Sequence, residues 1–308
     1  MKAAGACTKG AALIAVAMAL AAPARAGTLP GRNGPIVVAT AEEGHAALEL
    51  ISTHGKVKTA FKTSLRDAIF VHPTFSPDAR RIIWSDAAGT TRWSLESLDL
   101  RSGERKGIGT GKISAFAPSF LSDGRIVFGG SYYQGHHPGT FVTGTNGGHR
   151  RRLFDREALA VSADGRWFLD TDDRRDFHAL YLLDEHGRTV RHLTDDPRYR
   201  YLGSTFSPDG HWIAYEREIE RPGQRQHHAD VFIVRRDGTH RRRLTSGGNA
   251  ADPVFSPDGR LLAFTRFNNG FGGNLVVIPL AHPKRHRVLT HVEGARFQEP
   301  AWAALPAP

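Results

Sequence analysis

Gly203-Ser-Thr-Phe-Ser-Pro-Asp-Gly210 is followed at once by His211-Trp-Ile-Ala-Tyr215, and this short stretch recurs along the chain. The other copies are His72-Pro-Thr-Phe-Ser-Pro-Asp78, Ala117-Pro-Ser-Phe-Leu-Ser-Asp-Gly124, Ala158-Leu-Ala-Val-Ser-Ala-Asp-Gly165 and Asp252-Pro-Val-Phe-Ser-Pro-Asp-Gly259. Glu299-Pro-Ala-Trp302 is a partial sixth copy. The aligned large residues are Phe75, Phe120, Val161, Phe206, Phe255 and Trp302, spaced by 45, 41, 45, 49 and 47 residues. A fixed period of this size marks a repeat architecture.

Each copy has a physical grammar. A short strand enters a turn in which Pro presets φ, Asp bonds nearby amides and Gly accepts positive φ. A continuous apolar strand follows, such as Ile82-Ile83-Trp84, Ile126-Val127-Phe128 or Leu261-Leu262-Ala263-Phe264. Such a run suits a strand buried on both faces. After a variable loop comes a second hairpin, as in Tyr181–Thr194 or Val231–Thr245. Four strands per 41 to 49 residues is the size of a propeller blade. No helical periodicity competes. The turn Gly is replaced by Ala79 in the second blade, so a slightly altered turn is expected there, at a cost of about 1 kcal/mol if φ is positive.

The ends complete the count. Gly34–Ala39, Ala46–Ile51 and Val57–Phe61 read as the second, third and fourth strands of a blade without a first strand. Glu299–Trp302 is a first strand without a blade. The fold class is therefore all-β: a six-bladed β-propeller of four-stranded antiparallel blades, closed by pairing the C-terminal strand with the N-terminal blade. Closure removes edges that would otherwise recruit other chains.

Residues 1–26 stand apart. Lys2 and Lys9 precede an uncharged apolar stretch, Ala11–Ala22, and Ala24-Arg25-Ala26 has the small-x-small cleavage pattern. This reads as a secretory signal peptide cut before Gly27, with residues 27–308 forming the propeller. The apolar run is too short to cross a bilayer, and no later segment is long enough. The expected location is the periplasm or the cell exterior. Cys7, the only cysteine, falls in the leader, which leaves no disulfide, thiolate ligand or thiol nucleophile. The formal net charge of +10 falls to +7 once Lys2, Lys9 and Arg25 are removed. That balance suits an anionic partner, such as an acidic envelope protein or an anionic polymer. Nucleic acid is not expected outside the cell.

The Pro-x-Phe/Trp-Ser-Pro-Asp-Gly repeat and the Gly-x-x-Arg-Arg-Leu-Thr blade ends resemble the WD40-like repeats of the TolB-like propeller family, over Pro35 to Trp302. The resemblance implies a six-bladed propeller. TolB proteins carry an α/β domain before theirs, whereas here Gly27–Gly34 precede the first strand, so the resemblance is read for the propeller alone. A shared fold does not carry a function.

Catalytic signatures are sparse. There is no Gly-x-Ser-x-Gly elbow and no His-Glu-x-x-His helix. Gly107-Ile-Gly-Thr-Gly-Lys112 lacks the spacing of a phosphate loop and reads as a connector. Binding residues concentrate on loops, and here the variable loops gather on the face opposite the short turns. They carry Tyr132, His136 and His137, then His178, Arg198 and Arg200, then His227 and His228. His, Arg and Tyr suit recognition of sugars, carboxylates or acidic protein surfaces. The residue before the repeat's proline begins the innermost strand, at the mouth of the central channel. In ring order Asp252, Glu299 and His72 are consecutive there. One His and two carboxylates have the chemistry to bind a divalent cation, but they equally hydrate a channel, and no cofactor is expected. Arg150–Arg152 and Arg241–Arg243 precede outer strands, where charge protects a blade edge.

The reading is an exported, non-enzymatic binding or scaffold propeller that engages an envelope protein or polymer through its loop face. The alternative is a propeller lyase or hydrolase acting on an anionic carbohydrate at the channel mouth. Oligogalacturonate lyase, whose repeat is similar, uses a metal-bound His cluster.

Overall fold

The computed structural model describes residues 25–308 apart from 43–44, 67, 88–91, 133–135, 172–177, 195, 220–227, 269–272, 291–297 and 307–308. Strand β1 (Arg25–Ala26) precedes the blades. Blade 1 holds β2 (Arg32–Glu42), β3 (His45–Ile51) and β4 (Val57–Arg66). Blade 2 holds β5 (Phe70–Phe75), β6 (Arg81–Asp86), β7 (Ser94–Asp99) and β8 (Arg105–Ile108). Blade 3 holds β9 (Ile113–Phe120), β10 (Ile126–Tyr132), β11 (His136–Thr143) and β12 (Arg151–Phe154). Blade 4 holds β13 (Ala160–Val161), β14 (Phe168–Thr171), β15 (Leu180–Leu183) and β16 (Thr189–Thr194). Blade 5 holds β17 (Tyr199–Phe206), β18 (Trp212–Ile219), β19 (Ala229–Arg235) and β20 (Arg242–Arg243). Blade 6 holds β21 (Ala250–Phe255), β22 (Leu261–Phe267), β23 (Gly273–Pro279) and β24 (Arg287–Val288). The chain ends with β25 (Gln298–Leu305), which returns to blade 1 and pairs antiparallel with β2, setting Ile36 opposite Trp302 and Val37 opposite Ala301. The ring closes as the sequence predicts.

Strand period explains the continuous apolar runs. In β2, Ile36 and Val38 pack with Val254, Leu275 and Trp302 towards blade 6, while Val37 and Ala39 pack with Phe70, Phe75 and Trp84 towards blade 2. Successive side chains thus serve opposite neighbours. Six apolar clusters of buried residues follow, one between each pair of adjacent blades. The six aligned positions, Phe75 to Trp302, are all buried. Each such side chain contributes about 1.5–3 kcal/mol through removal from water.

The repeat turns are hydrogen-bonded alike. The Ser207 hydroxyl donates to Asp209 Oδ1 (2.5 Å) and accepts from the Trp212 amide (2.9 Å), and Asp209 Oδ1 accepts from the His211 amide (3.0 Å). Burial pushes the Asp209 carboxyl up, but these bonds outweigh it and hold it below the usual range. Ala79 does not alter its turn, contrary to expectation. Its φ is 55°, and its amide donates to Ser76 O at 2.8 Å, as the Gly259 amide does to Ser256 O at 2.8 Å. The turn's bonds simply hold an L residue in the left-handed region. Ala79→Gly is therefore expected to stabilise the fold by up to about 1 kcal/mol, the relieved strain less the added unfolded-chain entropy. Urea denaturation would read this as a higher midpoint at unchanged slope.

Several boundaries differ from the sequence reading. β4 runs on to Arg66 instead of stopping at Phe61. Gly107 and Ile108 belong to outer strand β8, and only the residues after them form a connector. Arg151–Arg152 and Arg242–Arg243 lie in the outer strands β12 and β20 rather than before them. The segment before β2 is also built in. The Gly27 amide donates to Val161 O (2.9 Å), the Thr28 amide to Phe206 O (3.3 Å) and the Gly31 amide to Pro257 O (3.2 Å). The Thr28 hydroxyl donates to Phe255 O (2.9 Å), and Leu29 is buried. This strap ties the inner strands of blades 4, 5 and 6 at their turn end. The expected leader boundary between Ala26 and Gly27 falls where β1 pairs parallel with β13; residues 1–24 lie outside the described part.

Candidate functional site at the channel mouth

Each inner strand except the short β13 carries an irregularity near the residue before its second inner position, and the backbone there is left-handed. The φ values are 54° at His72, 52° at Ala117, 49° at Gly203, 59° at Asp252 and 54° at Glu299. Four of these five are not glycine, and four precede proline. Such strain costs about 1–3 kcal/mol per residue and persists only where surrounding bonds hold it.

Those bonds run around the ring. The freed amide at blade 3 (Ala117) donates to the Ser85 hydroxyl of blade 2 (2.9 Å), and Ala158 of blade 4 donates to the Thr140 hydroxyl of blade 3 (3.0 Å). At blades 2 and 1 the acceptor is a mouth carboxylate instead. The His72 amide donates to Glu299 Oε2 (2.5 Å), and the Glu299 amide donates to Asp252 Oδ2 (3.3 Å). The three consecutive residues therefore meet, as ring order predicts, but in series. His72 Nε2 also lies 3.1 Å from Glu299 Oε1, outside hydrogen-bonding direction. The His72 side chain is 8% exposed, and neither ring nitrogen has a hydrogen-bond partner among the described residues. A carboxylate bound to a backbone amide has fewer lone pairs left for a cation. No group of three His, Cys, Asp or Glu side chains among the described residues is arranged to hold a metal ion.

The loop residues fall into separate groups. Tyr132 is exposed, with its ring edge on Phe141 (6.4 Å), and its partner across the hairpin is His136. His137 is exposed with φ 67°, and its carbonyl accepts from Arg152 (3.4 Å). His178 Nδ1 sits 2.8 Å from Tyr199 O. Arg198 pairs with Asp196 (2.6 Å), whose carboxyl is pulled down to about 2 by that side-chain bond. Arg200 pairs with buried Glu218 (3.3 Å). His228 is half-buried and its carbonyl accepts from the Ile219 amide (3.0 Å). His227 lies outside the described residues. Tyr199 organises the blade 5 group, with Arg217 Cζ 4.1 Å from its ring centre and 4.0 Å from that of Phe232. Arg217 was missed from sequence; its signal is the continuation of β18 past the apolar Trp212–Tyr215 run.

A family model described as the TolB β-propeller domain matches residues 37–306. This chain belongs to the TolB β-propeller family. Solved structures agree on the fold. TolB from Acinetobacter baumannii superposes with a TM-score of 0.71 at 24% identity, covering 90% of this chain and 68% of that one. A putative TolB from Agrobacterium tumefaciens gives 0.65 at 18% identity, covering 89% and 99%. A chain of a nidogen/laminin complex gives 0.66 at 14% identity, covering 88% and 100%. A search of curated proteins finds no match. No helix among the described residues is long and apolar enough to cross a membrane.

Proposed function

We propose that this TolB-family propeller is a non-catalytic binding module, exported by removal of residues 1–26 to the periplasm or beyond. It engages an envelope protein or polymer through its loop face, with the channel mouth as its centre. The observation that carries this is the His72–Glu299–Asp252 series: strained backbone, two carboxylates that accept backbone amides, and a buried imidazole beside Glu299 whose ring nitrogens have no hydrogen-bond partner among the described residues. Strained, incompletely satisfied polar groups concentrate where a ligand completes them. An envelope protein segment offering a donor or acceptor to His72 would do so.

The test is a pull-down from envelope extract with the mature protein beside His72→Ala and Tyr132→Ala, both checked for unchanged melting. The expected result is a component recovered by wild type and depleted in both variants. Equal recovery by all three proteins would remove the loop face from consideration.

A further inference from the structure

We infer that Arg217, at the loop end of blade 5, is a receptor for one carboxylate side chain, Asp or Glu, of a partner protein. This rests on reading the loop face as the binding face, and it names the chemistry bound there. Arg217 stands near the end of β18, with Tyr201 directly across on β17 and Asp230 directly across on β19. It is half-buried, as is Tyr199, while Arg198 beside them is exposed.

Two observations single it out. Its guanidinium lies against two rings at once, with Cζ 4.1 Å from the centre of Tyr199 and 4.0 Å from that of Phe232. Among the described residues it also makes no hydrogen bond and no ion pair. The other stacked arginines differ in one respect or the other. Arg105, Arg152, Arg156 and Arg198 pair with carboxylates as well as with rings. Arg236 donates to Gly210 O (3.0 Å). Arg235 and Arg266 each lie over one ring, at 5.4 and 5.8 Å.

The carboxylates around Arg217 are already taken. Asp196 pairs with Arg198 (2.6 Å), Glu218 with Arg200 (3.3 Å) and Asp230 with Arg243. Asp230 also accepts from the Thr245 hydroxyl (2.8 Å) and the Gly248 amide (3.2 Å). The charge on Arg217 helps to hold the Asp196 carboxyl down only in last place, after the bonds from Arg198. One positive charge is therefore left over, on a guanidinium that stacking has already ordered. Its N–H donors lie in the guanidinium plane and form a fork that fits a carboxylate bidentately. One positive charge balances a monoanion, whereas a phosphate group carries nearly two negative charges. Tyr199 also carries Arg198 (5.6 Å) and Phe232 stacks on Tyr215 (5.8 Å), so neither ring keeps a free face for a sugar. An acidic side chain on a protein segment meets these conditions, and arginines are enriched among the residues that dominate protein–protein binding.

The experiment measures how well the immobilised mature protein retains nonapeptide pools, acetylated and amidated at their ends, that are degenerate except for Glu, Gln or phosphoserine at the centre. Wild type is expected to retain the Glu pool about tenfold better than the Gln pool, the effect of one charge-assisted bidentate contact. Arg217→Gln should bring the two pools within about twofold, the range of an unpaired surface charge, and leave retention of the Gln pool unchanged. Arg217→Lys keeps the charge but loses the fork, so its preference should fall between the two, and it stands in if the Gln variant melts early. Arg101→Gln removes an exposed charge from the outer turn of blade 2 and should keep the wild-type preference. A preference that survives in Arg217→Gln, or falls equally in Arg101→Gln, would overturn the assignment. Stronger retention of the phosphoserine pool than of the Glu pool would overturn the ligand class. Equal retention of the Glu and Gln pools by wild type would remove the carboxylate receptor, while a component depleted by His72→Ala in the pull-down would still support the loop face.

Discussion

A chain ending at Arg296 is expected not to form the ring at all. That truncation removes β25, the innermost strand of blade 1. It strips buried Trp302, Ala301 and Ala303 from the two interfaces of blade 1, and buried Ala304 from a third apolar cluster. The Trp302 indole N–H donates to Gly34 O (2.8 Å), and that carbonyl would be left without its partner. Trp302→Ala alone should cost about 3–5 kcal/mol. Loss of the whole strand should exceed the 5–15 kcal/mol that ordinarily separates folded from unfolded domains. It would also bare the inner edge of β2 to other chains. The measurement is thermal unfolding with size-exclusion chromatography. A truncated protein that stayed monomeric with the wild-type melting temperature would show that the ring does not depend on this closure.

The second large effect is expected at an outer hairpin, with an internal control. Gly147 has φ +83°, and a Cβ there would fall 2.5 Å from Gly109 O and 2.6 Å from Gly109 N, in the backbone of the connector that leaves the preceding blade. Gly259 has φ +70° with nothing within 4 Å of its would-be Cβ. Both substitutions force an alanine into the left-handed region, at about 1–2 kcal/mol. Only Gly147→Ala also pushes two blades apart, adding about 1–3 kcal/mol. The expected cost is about 2–5 kcal/mol for Gly147→Ala and about 1–2 for Gly259→Ala, read from urea midpoints. Equal costs would mean that the outer turn yields without loss, and that Gly147 is kept for φ alone. Ala79 already shows that an inner turn tolerates the side chain.

The contrast between these glycines separates what local chemistry announces from what packing imposes. The Ser-Pro-Asp-Gly turn states its own geometry, because Pro, Asp and Gly act within a few residues of one another. Phe75, Phe120, Val161, Phe206, Phe255 and Trp302 announce the core because each blade repeats the same strand pair. The placement of Asp252, Glu299 and His72 side by side also follows from counting blades around a closed ring.

What each does there does not follow. That Glu299 would receive the His72 amide, and Asp252 the Glu299 amide, depends on the left-handed backbone at each inner strand. The same is true of Arg198 and Arg200, which the loop composition marks as binding residues and which pair with Asp196 and Glu218. Composition shows which groups are available, and only proximity shows which are already spent. Gly27–Gly31 carries no strand pattern, yet its amides find carbonyls more than a hundred residues away. By itself, then, the sequence determined the six blades, their turns, the closure and the residues that would ring the mouth, since turns and strand pairs are written within each repeat and the closure and ring order follow from counting repeats. The strap and the relay of amides were decided by the tertiary structure alone, because each depends on groups that different repeats bring together.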